Sequence, residues 1–493
     1  MKKLLNIIIA STLAASLCSC ELDLAPKTSM GTETVSTVQD VTAVRNGVYR
    51  LFRNVFMGEY NYDSDYQSDL FNELTTSGNR GSFYYRWIFL SSDSTIAAIW
   101  ADYYNAIANA NFCISKIDAI YDDCTPSEQA VLNNYKGEML LLRAIVHRQI
   151  ALRFCKDYEP ATASTDFGIP VITEYDTNYK PSRGTLAETY AQIESDMLEA
   201  ERLVTTSGEA DAAYVTVDAV TAFKAQVYLD THRYGEASTA AASLYAKYPL
   251  VGDADELEEM WREDESSETI FQPAMTLTDL AGRYTDYHAG QWDPEIANYR
   301  CDCAYIPEQW VCDLYDDADW RVGPYVDVQY INNMANANVT GIVLTKFRGN
   351  INLQTSANLN WYNMPKIFRI ADMYLIDAEA KYRSGGDAAT PLNTLREHRG
   401  LTATTASGEA LFTEIKNERV REMIAEGNRI SDLKRWHDGF TRNKQTAEGL
   451  LFAQTGHDMV VAADADKLVW PIPRTEIDVN ENLAGQQNPG WGE

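Results

Sequence analysis

Six histidines could supply acid–base chemistry or metal ligands, and they stand far apart at positions 147, 232, 288, 398, 437 and 457. None of them is within metal-ligand spacing of another, and the chain has no HExxH motif, no GxSxG elbow and no GxxxxGKS/T loop. The sequence therefore predicts no catalytic residue, no metal site and no cofactor.

Two short segments look like parts of metal sites, and both are incomplete. Cys301, Cys303 and Cys312 offer three thiols, but a fourth zinc ligand is missing, so we predict structural or free thiols. Residues 61–65 alternate polar oxygen ligands like the start of a calcium loop. Because Tyr66 stands where such a loop needs glycine, the sequence supports calcium only weakly.

Carboxylates are numerous, with 71 Asp plus Glu, so a glycosidase pair is easy to propose. Such a pair must flank the scissile bond at about 5 Å or about 6.5–9.5 Å, and sequence does not show that geometry. No local motif supports one. We predict a binding protein rather than an enzyme, and a surface glycan hydrolase is the alternative.

Aromatic side chains in loop-like segments are the best candidates for contacting a ligand, because flat rings pack against the apolar faces of sugars. Two clusters of such residues, with polar neighbours, form the predicted ligand set. The first comprises Asn79, Tyr85, Arg86 and Trp87, and the second comprises Tyr287, Trp292 and Tyr299. We expect Trp87 to be the strongest contact, and the alternative is that these rings fill the gap between loops and helices.

Composition limits the partners of the chain. Its 493 residues carry 42 Lys plus Arg and a formal net charge of −29, which argues against wrapping nucleic acid or docking a basic face on an anionic membrane. Hydrophobic residues make up 45% of the chain, enough for a large core.

The N-terminus reads as an export signal. Lys2 and Lys3 precede a mostly apolar stretch that is too short to span a bilayer as a helix, which needs about 20 residues. Leu17 to Cys20 resembles a bacterial lipobox. We predict a signal peptide over 1–19, a lipid on Cys20 and a flexible tether over 20–35; the alternative is an ordinary signal with a chance cysteine.

Apolar periodicity predicts helices over about 36–56, 95–156, 185–247 and 366–436, with loop-rich insertions over about 57–94 and 250–365. Capping boxes support three helix starts, at Ser36–Gln39, Thr125–Glu128 and Thr185–Glu188. Residues 217–247 have two Ala-rich helices around a short turn, as in a tetratricopeptide unit, and similar pairs occur at 366–398 and 410–436. The predicted fold class is mainly α.

Phrases along the whole chain resemble the SusD/RagB family in family order. They are Trp100, Tyr103, Ile107 and Asn111; Gly137–Ala144; Gly168–Pro170; Pro365–Ala380; Leu392–Arg399; Glu418–Trp436; and Pro471–Pro473 with Gln487–Trp491. His398 and Leu401 depart from the pattern. Residues 21–23, 247–250 and 309–315 are nearer to the RagB branch.

The resemblance implies a surface lipoprotein of Bacteroidetes, held in the outer membrane by a lipid on Cys20. It implies capture of oligosaccharides, or of oligopeptides as in RagB-like members, and their delivery to a TonB-dependent barrel of the SusC/RagA type, without catalysis. It also implies one domain over 36–493, in which tetratricopeptide-like helix pairs form a right-handed scaffold and loop-rich insertions carry the ligand face.

Overall fold

The computed structural model describes residues 35–332, 334, 339–354 and 361–492. The predicted signal peptide, Cys20 and nearly all of the tether lie outside these residues. Helix makes up 47% of the protein, which confirms the mainly α prediction.

The helices, in chain order, are α1 (Val38–Asn54), α2 (Glu59–Gln67), α3 (Ser82–Tyr85), α4 (Ser94–Ile120), α5 (Pro126–Phe154), α6 (Leu186–Leu203), α7 (Val217–Asp230), α8 (Tyr234–Ala242), α9 (Ala254–Arg262), α10 (Gln309–Cys312), α11 (Ile370–Ser384), α12 (Ala389–Glu397), α13 (Glu409–Met423), α14 (Arg429–Trp436) and α15 (Arg474–Val479). The strands are β1 (Phe71–Glu73), β2 (Thr269–Phe271), β3 (Gly290–Asp293), β4 (Asn298–Cys301), β5 (Tyr305–Pro307), β6 (Val326–Ile331), β7 (Thr340–Leu344), β8 (Phe368–Arg369), β9 (Phe440–Thr441) and β10 (Val460–Val461).

Two predicted capping boxes are confirmed. The Thr125 hydroxyl accepts from the Glu128 backbone N–H, and the Glu128 carboxylate accepts from the Thr125 N–H at 2.9 Å, which satisfies two free donors at the start of α5. Thr185 and Glu188 do the same for α6.

At α1 the predicted Ser36–Gln39 box is wrong by one residue. Thr37 is the N-cap and Asp40 is its partner. The Asp40 carboxylate accepts from the backbone N–H of both Ser36 and Thr37, at 3.1 and 3.0 Å. A carboxylate that collects two donors is a better cap partner than the amide of Gln39.

The long helices form an array in which helices that follow each other in the chain pack together. α1 packs on α4, α4 on α5, α5 on α6, α6 on α7, and α7 on α8; α11 then packs on α8, α12 and α13. Their inward faces share one large apolar core. Helices that contact their sequence neighbours build a quasi-linear scaffold, and the tetratricopeptide assignment of its pairs stays a prediction.

The loop-rich parts of the chain form a second layer on this scaffold. It contains a four-stranded sheet in the order β3–β4–β6–β7, in which only the β4–β6 pair is parallel. Beneath it lies a core dominated by aromatic rings: Tyr66, Phe71, Tyr85, Trp261, Tyr284, Tyr287, Tyr305 and Tyr325.

The expectation of a long loop over 57–94 is wrong at α2. Its sequence has almost no apolar period, and Asp63, Ser64, Asp65 and Gln67 are all buried. These polar residues are held by partners far away in the chain: Gln67, for example, donates to the Lys467 carbonyl. Such contacts leave no periodic signal in the sequence.

Among the described residues, no helix is both long enough and apolar enough to cross a membrane.

Candidate ligand-binding site

The hairpin of β3 and β4 presents an aromatic pair at the surface of the second layer. Trp292 and Tyr299 face each other across the two strands, and their ring centroids are 5.4 Å apart at an interplanar angle of 76°. Trp292 is 56% exposed, whereas Tyr299 is half-buried. This edge-to-face contact, a favoured aromatic geometry, holds the indole in place while leaving much of it open to solvent.

Polar side chains lie on the other side of the hairpin from this pair. On the opposite face of the hairpin, the Arg300 guanidinium donates to the Asp293 carboxylate at 2.6 Å, and Gln291 is exposed. Within the described residues β3 pairs only with β4, so its outer edge carries backbone N–H and C=O groups without a strand partner. The hairpin can therefore offer one ligand the Trp292 ring face together with the backbone hydrogen-bonding groups of the β3 edge.

Buried side chains support the hairpin from below. The His288 ring lies 5.7 Å from the Tyr299 ring, and His288 and Cys301 both contact the Gln329 side-chain oxygen, at 2.8 and 2.9 Å. Gly290 is required here, because a Cβ at this position would come within 2.5 Å of the His288 ring. The aromatic pair thus stands on a rigid base.

One residue of each predicted cluster is buried, unlike the exposed Trp292. Tyr287 and Tyr85 are fully buried, so both predictions as ligand contacts are wrong for this structure. Tyr287 packs against Phe71 at 4.8 Å, and Tyr85 lies under the Arg442 guanidinium at 4.1 Å. Both rings serve the aromatic core because long-range neighbours cover them.

Trp87 is half-buried and packs between neighbouring segments of the fold. Its indole N–H donates to the Gln67 carbonyl at 2.8 Å, and its ring packs at 6.0 Å from Phe440. It also contacts the main helical core. These contacts correspond to the gap-filling alternative, and they account for most of the indole surface.

The polar members of the first cluster have different environments. Arg86 pairs with the buried Glu73 carboxylate at 3.2 Å. Asn79 is exposed in a tight turn with φ of +67°, next to Arg80. Of this cluster, Asn79 alone is fully available to a ligand.

The fold joins the two clusters that the sequence separates by some two hundred residues. Arg80 pairs with Asp286 at 2.5 Å, and the Tyr66 ring stacks on Tyr305 at 3.6 Å. Burial raises the pKa of Asp286 and Arg80 opposes that rise. Asp286 was missed at the sequence level because an isolated acidic residue in a loop carries no signal of a distant arginine.

A separate cavity, partly open to solvent, lies between the helical array and the second layer. Its volume is about 90 Å³, and charged side chains such as Arg148, Lys366, Arg369 and Glu426 line it. Ligand pockets are usually about 300–1,000 Å³, so this cavity suits a few water molecules rather than an oligosaccharide. The exposed hairpin is the better candidate site.

Two protein-family models match the chain. One is described as the SusD family and matches residues 323–491; the other is described as starch-binding, associating with the outer membrane, and matches residues 22–229.

Similar proteins and structures carry related names. The starch-binding protein SusD of Bacteroides thetaiotaomicron is 37% identical over 125 residues, a match that spans 25% of this chain and 21% of that protein. A crystal structure of a SusD superfamily protein from the same species has a TM-score of 0.77 and 25% identity, covering 92% of this chain and 100% of that one. The structure of a laminarin-binding SusD-like protein has a TM-score of 0.70 and 20% identity, covering 92% of this chain and 100% of that one.

Proposed function

The chain belongs to the SusD/RagB family, and from that premise we propose that it captures carbohydrate at the outer membrane without cleaving it. The exposed Trp292, fixed against Tyr299 on the β3–β4 hairpin, carries this proposal. The names of its relatives support the ligand class, since one is a starch-binding protein and another a laminarin-binding protein.

The proposed capture follows from the chemistry of sugars. A pyranose ring has apolar C–H faces that pack on an indole, and its hydroxyls need donors and acceptors around them. Trp292 supplies the face, and the backbone N–H and C=O groups along the outer edge of β3 supply donors and acceptors next to it. Asn79 stays a candidate for an additional contact.

Delivery is the second part of the proposal. Residues 36–493 act as one domain, a lipid on Cys20 holds it at the cell surface, and a TonB-dependent barrel of the SusC/RagA type receives the ligand. Family membership supports this part, and the lipobox-like Leu17–Cys20 supports the anchor.

Oligopeptides are the second ligand class, and one observation favours them. The outer edge of β3 can pair with an extended peptide by adding a strand to the sheet, a common mode of peptide recognition. Carbohydrate remains the main proposal because the exposed indole, rather than a line of side-chain pockets, dominates the hairpin.

The test measures binding of starch oligosaccharides, laminarin oligosaccharides and mixed-sequence peptides by calorimetry. Trp292→Ala should weaken the affinity for the bound ligand by about 1–3 kcal/mol, roughly tenfold or more, because a ring face is lost. Tyr179→Ala is the matched control, since Tyr179 is 57% exposed and lies in a different segment, and it should bind like the wild type.

The Trp87→Ala variant tests whether Trp87, the other predicted tryptophan, contributes to ligand binding or only to packing. We expect it to lower the free energy of unfolding by about 2 kcal/mol through lost packing while leaving the affinity of the folded fraction unchanged. Unchanged affinity in Trp292→Ala would remove the hairpin from the site. Release of reducing ends from any glycan in the panel would favour the hydrolase alternative.

A further inference from the structure

Three potential metal ligands from distant parts of the chain meet at one place on the helical array, and a fourth, His437, contacts one of them. The ligand atoms of Asp157, Glu159 and His232 all lie within 4.8 Å of one another. The His437 Nε2 atom lies 2.9 Å from a Glu159 carboxylate oxygen. No spacing in the sequence indicates this cluster, because only the fold joins the two histidines.

Each part of the cluster directly follows a helix. Asp157 and Glu159 come after the end of α5, His232 is in the turn between α7 and α8, and His437 is the C-cap of α14. The C-terminal end of a helix carries a partial negative charge. The cluster therefore lies near three helix ends that favour a cation.

Two ligand atoms in the cluster are buried without a hydrogen-bond partner among the described residues. They are Oδ2 of Asp157 and Nε2 of His232, which is 4.0 Å from the nearest Glu159 oxygen. A buried polar atom that lacks a partner is costly, and a bound metal ion would satisfy both atoms at once.

The nearest positive side chains are engaged elsewhere. Arg435 pairs with Glu379 at 2.9 Å and with Asp432 at 2.8 Å. Lys434 donates to the carbonyls of Leu152 and Cys155.

We propose that Asp157, Glu159, His232 and His437 bind a divalent transition-metal ion, with Zn²⁺ as the best fit. Two imidazoles and two carboxylates form a donor set typical of zinc, whose bonds to N and O are about 2.0–2.2 Å. Donors around a tetrahedral ion lie about 3.3–3.5 Å apart. The ligand atoms of Asp157, Glu159 and His232 lie within 4.8 Å of one another, so these side chains and His437 must move closer together to bind the ion.

Such an ion would cross-link three segments of the fold. It would tie the segment after α5 to the α7–α8 turn and to the end of α14, which lie far apart in sequence. A ligand that binds the folded state and joins distant segments stabilises the fold. The site is independent of the proposed carbohydrate site.

The test uses the chain purified without a polyhistidine tag and stripped of metal with a chelator. Calorimetric titration with Zn²⁺ should show one site per molecule. Zn²⁺ at a hundredfold excess over Kd should raise Tm by about 3 °C. Ca²⁺ and Mg²⁺ should not, because both prefer all-oxygen ligands.

Two variants and a control identify the ligands. His437→Ala changes a side chain that is 64% exposed and should fold normally, but it should lose at least tenfold in Zn²⁺ affinity together with the Tm shift. His232→Ala should do the same, whereas His457→Ala, outside the cluster, should bind like the wild type. The proposal is overturned if the wild type binds no stoichiometric Zn²⁺, if both histidine variants keep its affinity, or if Ca²⁺ gives an equal shift.

Discussion

His147 lies in the middle of α5 with both ring nitrogens buried and without a hydrogen-bond partner among the described residues. Burial, and then the nearby Arg143, lower the pKa of this histidine from 6.5 to about 3. The folded protein therefore holds His147 neutral, whereas the unfolded chain protonates it below about pH 6.5.

The depressed pKa of His147 predicts that the free energy of unfolding decreases at acid pH. Because the folded-state pKa is depressed, the stabilising effect is complete above about pH 6.5 and is lost as the pH falls towards 3. His147→Leu removes the titrating group at similar volume. Between pH 7.5 and 5 its free energy of unfolding should fall by about 2 kcal/mol less than that of the wild type, as measured by urea denaturation. An equally steep fall in both proteins would contradict this account of His147.

Burial also decides the role of each aromatic residue. Trp87 and Trp292 stand in loop-like sequence of similar composition, yet the first donates to the Gln67 carbonyl and packs inside, while the second stays exposed. Side-chain type alone selects both as candidates, and only the surrounding contacts separate them.

Among the elements, α13 is the main electrostatic link between the helical array and the second layer. Its buried Glu422 accepts hydrogen bonds from Arg321, Arg369 and Arg399, and Arg399 also reaches Glu268. Burial alone would raise the pKa of Glu422, but Arg399 and Arg369 hold it well below its ordinary value. Ion pairs also join the Glu426–Arg435 segment to other helices: Arg435 pairs with Glu379, for example.

Removing one partner of this network should be costly. Arg399→Met leaves the carboxylates of Glu422 and Glu268 buried with one guanidinium fewer, and we expect the free energy of unfolding to drop by about 3–5 kcal/mol. Arg474→Met is the control, because its pair with Asp478 is exposed and should contribute less than about 1 kcal/mol. Chemical denaturation of both variants measures the difference, and equal losses would argue against a stabilising network at α13.

At the scale of the whole molecule, a helical scaffold built from neighbouring helices supports an aromatic-rich layer that carries the proposed ligand face. Acidic residues outnumber basic ones and give the chain a net charge of −29. This charge favours solubility because it repels other copies of the chain and anionic surfaces. Under our proposal, attachment to the membrane depends on the lipid at Cys20.

The anchor can be tested directly on the full chain. Cys20→Ser removes the thiol that would carry the lipid, and we expect the protein to move from the outer-membrane fraction to the soluble fraction. Within the described residues no helix is long and apolar enough to hold it in the membrane instead. Cys124→Ser, at a half-buried cysteine of the folded body, is the control and should stay in the membrane fraction. Retention of Cys20→Ser in that fraction would contradict the lipid anchor.

Local chemistry in the sequence determined much of the architecture. The capping boxes at Thr125 and Thr185, the long apolar stripes and the family phrases from Trp100 to Trp491 depend on residues a few positions apart, whose interactions form within one helix. These signals are sufficient for the mainly α class and for the family.

Only the tertiary structure decided which side chains are available for function. Tyr85 and Tyr287 were covered by Arg442 and Phe71, Trp292 was left exposed, and His232 and His437 were brought to one carboxylate. The physical reason is that burial and ligand geometry depend on contacts between segments hundreds of residues apart, and those contacts leave no local pattern in the chain.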